Sequence, residues 1–189
     1  MRYYKLLYDY EHDKHYVGCT AEKTYRISQY DVIKGQTINN WNDDITFVYN
    51  PKEGNIPIDF LVNNYRWLIV SDRFQKVMGN NIGNSIQYLP IKIYNKESGT
   101  TITSYKVANI VSVIDALDLE NSAYDIFEVD ENEKIISIEK YAIKEKEVTG
   151  KHIFKLKDEI IPIFVSEKFK NLIEKNKLTG FDFLEVFVT

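Results

Sequence analysis

Two stretches decide how the chain folds: Leu68-Ile69-Val70-Ser71-Asp72-Arg73-Phe74 and Ile163-Phe164-Val165-Ser166-Glu167-Lys168-Phe169. They align without a gap at an offset of 95 residues. Further on, Val77 and Met78 match Leu172 and Ile173. Ile86, Tyr88, Leu89, Ile91 and Ile93 then match Phe181, Phe183, Leu184, Val186 and Val188. Each copy reads as a short strand, a helix and a second strand. The serine stands where an N-cap accepts a hydrogen bond from a free amide of the first turn. The acid after it complements the positive helix end. Phe74, Val77 and Met78 recur at i, i+3 and i+4, as do Phe169, Leu172 and Ile173, which gives each helix one apolar stripe. Gly79 with the Gly83 loop stops the first helix, and Thr179-Gly180 stops the second. Duplication of one unit and two like solutions to one packing problem both produce this pattern.

Outward from these copies the chain reads mostly as strand. Tyr3–Tyr8 and Ile45–Tyr49 are strand-like runs, separated by polar stretches such as Glu11–His15 and Thr37–Asp44 that read as loops. Thr101–Val107, Asn109–Ile114, Ile135–Ile143 and His152–Leu156 are rich in branched and aromatic residues. Glu131-Asn132-Glu133 and Thr149-Gly150 read as hairpin turns. Pro90 cannot donate a ladder hydrogen bond, so its run belongs at a sheet edge. The expected fold class is therefore α+β, a mainly antiparallel sheet with two short helices from a repeated strand–helix–strand unit. With 189 residues and no flexible linker, the chain is expected to form a single domain over 1–189, of which 1–56 is a tyrosine-rich N-terminal β region.

Composition excludes several function classes. An apolar share of 44% supplies a real core and rules out disorder. A net charge of −4 argues against a general nucleic-acid binder. A single cysteine leaves no internal disulfide framework. The start, Met-Arg-Tyr-Tyr-Lys-Leu-Leu-Tyr-Asp-Tyr, lacks the apolar run of a signal peptide, and no later stretch is long enough to span a bilayer. A soluble cytoplasmic domain is expected.

No catalytic constellation emerges. Ser71 and Ser166 lack the Gly-x-Ser-x-Gly turn of a nucleophile, and capping accounts for both. His12-Asp13-Lys14-His15 offers two imidazoles and a carboxylate, with Cys19 and His152 as further ligands, but the run reads more simply as a polar loop. Neither a metal nor a cofactor is expected. Cys19 reads as a small packing residue. The clearest feature is electrostatic: Asp115, Asp118, Glu120, Asp125, Glu128, Asp130, Glu131 and Glu133 occur with no basic residue among them. Such a run is ordinarily a solvated loop; as a docking surface it would attract a basic partner. Leu117, Leu119, Tyr124, Ile126 and Phe127 would then serve as its apolar anchors, or else point into the core.

Tyr65-Arg66-Trp67-Leu68-Ile69-Val70-Ser71-Asp72-Arg73-Phe74, Lys151-His152-Ile153-Phe154-Lys155-Leu156, and Val165-Ser166-Glu167-Lys168-Phe169 through Leu178-Thr179-Gly180-Phe181-Asp182-Phe183 together resemble a family. It is that of bacterial immunity proteins encoded beside polymorphic toxins, of the immunity protein family eleven or forty-three type, once known only as a domain of unknown function. The likeness spans about residues 57–188, so 57–189 is the family-like core. The resemblance implies a non-enzymatic cytoplasmic antidote that binds a cognate toxin domain and blocks its active site or an adjacent surface, touching neither nucleic acid nor membrane. Its motifs are caps and core residues, so no toxin-binding residue is carried over. The alternatives are a small metal-dependent enzyme using the His12–His15 region, and a non-enzymatic module of a bacterial or phage assembly.

Overall fold

The computed structural model describes residues 1–9, 15–79, 81–128 and 134–189. The chain begins with β1 (Tyr3–Tyr8), β2 (Gly18–Lys23), α1 (Gln29–Ile33) and β3 (Thr46–Tyr49). Then come β4 (Phe60–Asn63), β5 (Ile69–Val70), α2 (Asp72–Gly79), β6 (Ile86–Pro90) and β7 (Lys92–Asn95). The middle holds β8 (Thr101–Ile102), β9 (Lys106–Ile110), β10 (Val113–Ile114), β11 (Ala123–Glu128) and β12 (Lys134–Lys140). The last part holds β13 (Ala142–Ile143), α3 (Glu145–Val148), β14 (Ile153–Leu156), β15 (Phe164–Ser166), α4 (Glu167–Lys175) and β16 (Phe181–Val188). The fold is α+β, and most pairings are antiparallel; β10–β14, β13–β16, β2–β4 and β3–β7 are parallel.

Four helices, not two, occur among the described residues. α1 is too short to show a periodic stripe; the Asp31 carboxylate accepts from the Ser28 amide at 2.8 Å and its hydroxyl at 3.0 Å, and Val32 alone is buried. α3 likewise buries only Val148. Thr149-Gly150 therefore ends a helix, with Gly150 at φ +77°, instead of joining two paired strands. Gly180 also acts differently from expectation. Lys177, at φ +51°, makes the left-handed turn after α4, whereas a Cβ on Gly180 would stand 2.7 Å from the Phe60 carbonyl oxygen. The turn expected at Glu131-Asn132-Glu133 lies outside the described residues.

The strands form a six-stranded sheet (β10-β14-β15-β1-β16-β13), an eight-stranded sheet (β6-β9-β5-β4-β2-β3-β7-β8) and a separate β11–β12 pair. Pro90 lies in β6, an end strand, as its missing amide requires. The eight-stranded sheet cannot be flat. β6 and β7 stand six positions apart in it yet are joined by Ile91 alone. Six positions would span about 29 Å in a flat sheet, and one linking residue reaches only about 7 Å. The sheet curls on itself and encloses Ile45, Phe47, Trp67, Ile69, Ile91, Ile93 and Val107.

α2 and α4 meet in a second core. Phe74 and Met78 of α2 pack with Phe169 and Ile173 of α4 against Leu68, just before β5, and against Val70, Ala108 and Ile110 of one sheet and Tyr4, Ile153 and Val165 of the other. Phe74 and Phe169 are both fully buried, as their helical spacing demands. Ser71 Oγ accepts from the Phe74 amide at 3.2 Å, and Ser166 Oγ from the Phe169 amide at 3.3 Å. Tyr3, Phe154 and Phe164, alternating with the residues above, build a third core on the far face with Leu117, Tyr141 and Val148.

Candidate interaction surface

The acidic run separates into two environments. Asp115 lies 3.3 Å from Lys157 Nζ, and Asp118 accepts from the Asn121 side chain at 2.9 Å and its amide at 3.3 Å. The Asn121 side-chain hydrogen bond, chiefly, holds the Asp118 carboxyl below its ordinary range. These two acids and Glu120 flank Ala116, Leu117 and Leu119 in sequence, and those three residues pack in the third core. Asp125 and Glu128 instead lie on β11, one strand of an arm. Asp130, Glu131 and Glu133 lie outside the described residues.

The apolar residues of the run divide at the same place. Leu117 is buried and Leu119 half-buried in the third core, so neither can anchor a partner. Tyr124, Ile126 and Phe127 are exposed, and so are Ile135 and Ile136 across from them. β11 pairs with β12 antiparallel, Tyr124 opposite Ile138, Ile126 opposite Ile136 and Phe127 opposite Ile135. Every β11 residue is exposed, and Ile138 is the arm residue that packs against the body. The sequence did not announce this. A run such as Ala-Tyr-Asp-Ile-Phe-Glu fits a buried strand equally well.

The two serines are spoken for. Ser71 Oγ donates to Asp59 Oδ1 at 2.5 Å while it caps α2. Ser166 Oγ lies 2.9 Å from His152 Nδ1. That serine–histidine pair was invisible in the sequence and follows from β14–β15 pairing, Ile153 opposite Val165. Burial first and Lys168 second lower the His152 pKa. Ser166 is fully buried, so its hydroxyl serves the helix cap and no substrate can reach it. Burial pushes the Cys19 thiol up to about 12, which leaves it a packing residue. Among the described residues no group of three or more histidine, cysteine or carboxylate side chains could hold a metal; His12 lies outside them. No helix of the described residues is long and apolar enough to cross a membrane.

The family model of the immunity protein family (Imm11) matches residues 2–188. The chain belongs to that family. No curated protein matches it. The Imm11 match takes in the tyrosine-rich N-terminal part, which supplies β1 to the six-stranded sheet and β2 and β3 to the eight-stranded one.

Two buried charges in this Imm11 protein matter for stability. Asp59 ties α2 to the turn after α4 through Ser71 and Thr179. Lys155, in β14, is buried and donates to the Ile160 carbonyl at 2.7 Å. Burial lowers its pKa from 10.5 to about 8. Below about pH 8 the folded chain bears the full cost of a buried ammonium, about 3 kcal/mol for such a shift. Between about 8 and 10.5 the unfolded chain holds more protons, so this contribution to stability improves as pH rises. Buried Cys19 and Tyr105, both held near 12, act in the opposite sense at high pH and are common to wild type and variant. Lys155→Met is therefore expected to be more stable than wild type at pH 7.5, with the difference shrinking toward pH 10. Urea unfolding across that window checks it, and a pH-independent difference would contradict it.

Proposed function

We propose that the chain is a non-enzymatic immunity protein that binds a cognate bacterial toxin domain in the cytoplasm and neutralises it by occluding the active site or an adjacent surface. Membership of the Imm11 family carries this reading. The exposed apolar residues of the arm support it, because contiguous apolar exposure on a folded domain marks an interaction site. The partner faces the acidic run: Asp115, Asp118, Glu120, Asp125, Glu128, Asp130, Glu131 and Glu133. Of these, Asp115 and Asp118 are partly committed to Lys157 and Asn121, so the arm acids bear most of the attraction.

The test is the association rate with the cognate toxin domain after Asp125→Asn, Glu128→Gln, Asp130→Asn and Glu131→Gln are combined. Rim charges act mainly on encounter. The expected result is association about 10-fold slower at low salt. The gap should close as ionic strength rises and the screening length falls to about 8 Å. An unchanged rate with unchanged protection of cells would remove the acidic run from the interface.

The strand–helix–strand segments β5–α2–β6 and β15–α4–β16 are two copies of one unit in this reading, within one domain spanning 1–189. Their registers support it. β9 lies between β5 and β6, with Val107 opposite both Ile69 and Leu89. β1 lies between β15 and β16, with Lys5 opposite both Phe164 and Leu184. The middle strand comes after the first copy in the chain but long before the second.

A further inference from the structure

We infer that the β11–β12 arm enters a cleft of the partner, apolar on its walls and basic at its rim, and does not rest on a flat face. This deepens the toxin-binding reading and rests on it. Side chains alternate across a strand, so the pairing register assigns each arm residue to a face. Tyr124, Ile126 and Ile136 share one face with Ile138, which packs on the third core; Phe127 and Ile135 share the other. All but Ile138 are exposed, Ile126 at 53% and Phe127 at 56%. A flat partner would cover one of these faces and leave the other in water. Two walls are needed to cover both.

Charge identifies the chemistry of those walls. Residues 123–140 contain six carboxylates and two lysines, which equals the net charge of −4 of the whole chain. The remainder is neutral in sum. Charge concentrated in this one segment of the sequence selects a basic rim and disfavours a second copy of the same segment, where like charges would meet. A cleft that holds a polyanionic substrate has this character, since phosphate binding requires clustered lysine and arginine. An arm two strands wide filling it would exclude the substrate directly.

The experiment uses the full chain and the inactivated toxin domain encoded by the adjacent gene. One variant joins Ile126→Thr with Ile136→Thr; the other joins Phe127→Thr with Ile135→Thr. Threonine keeps the strand preference, and the residues lie outside the cores, so thermal unfolding and circular dichroism should match wild type. Each double variant is expected to weaken the Kd at least about 100-fold, as for central apolar anchors. Loss in only one variant means a flat contact and overturns the cleft; loss in neither removes the arm from the interface. A wild-type chain that is dimeric while the variants are monomeric would show that a second copy covers the arm, which also overturns it. A wild-type chain that neither binds nor protects refutes the toxin-binding reading itself.

Discussion

Phe169→Ala is expected to destabilise the chain by about 3–5 kcal/mol. The ring is fully buried and stands edge-on to Phe74 at 6.0 Å, within the cluster that joins both helices to both sheets. Removing it deletes apolar contact and leaves a void whose walls cannot close. Strands held by ladders on one side and helices held by their caps on the other restrict collapse, which sets the upper part of that range. Phe74→Ala should cost a similar amount, because its ring also stacks on Phe181 at 5.4 Å. The double variant should cost less than the two losses added, since the rings touch and the first truncation already removes their shared contact. Urea unfolding measures this as a lowered midpoint. Phe127→Ala, on the exposed arm, serves as the comparison and should change stability by less than about 0.5 kcal/mol. A loss below about 1 kcal/mol for Phe169→Ala would mean that the two helices do not share a packed core.

Features written in local spacing were legible in the sequence. The serine caps, the Phe74 and Phe169 stripes and the edge position of Pro90 each depend on residues within a few positions of one another. The closure of the eight-stranded sheet was not, because it depends on which distant strands pair. Nothing near Tyr3–Tyr8 indicates that it lies between β15 and β16, some 160 residues away. The candidate surface was half legible for a related reason. Its charge is a matter of composition and could be read directly, whereas Leu117 and Phe127 are alike in sequence and opposite in burial. What distinguishes them is that β11 pairs only with β12, while Leu117 bridges to Ile143 at the edge of the body. α1 leaves no signal in the sequence because a five-residue helix has no period to detect. Asp59 gives no local signal, because a lone acid between Ile58 and Phe60 looks like any surface residue.

Asp59 is nevertheless where the second large effect is expected. Its side chain is buried and accepts from Ser71 Oγ at 2.5 Å, the Thr179 amide at 3.0 Å, Thr179 Oγ1 at 3.3 Å and Arg73 Nη1 at 3.2 Å. Arg73 continues to the Asn176 and Lys177 carbonyls, which follow α4. One carboxylate thus connects the start of α2 to the end of α4. Asp59→Ala should cost about 3–5 kcal/mol, because it strands a buried amide and hydroxyl and removes the counter-charge of Arg73. Asp59→Asn keeps one acceptor oxygen but turns an NH₂ toward the donors of Thr179 and Arg73 or toward that of Ser71, so a loss of about 1–3 kcal/mol is expected. Arg73→Ala should cost less than about 1 kcal/mol, since the guanidinium is largely exposed and screened by water. The order of the three losses separates this account from a simple ion pair. Were Asp59 and Arg73 important only to each other, both alanine variants would lose the same amount. If the carboxylate instead organises the neutral donors, Asp59→Ala should exceed Arg73→Ala several-fold. Amide hydrogen exchange should then rise in α2 and around Thr179 while the β1–β16 ladder stays protected. Equal losses, or exchange rising evenly through both sheets, would overturn it.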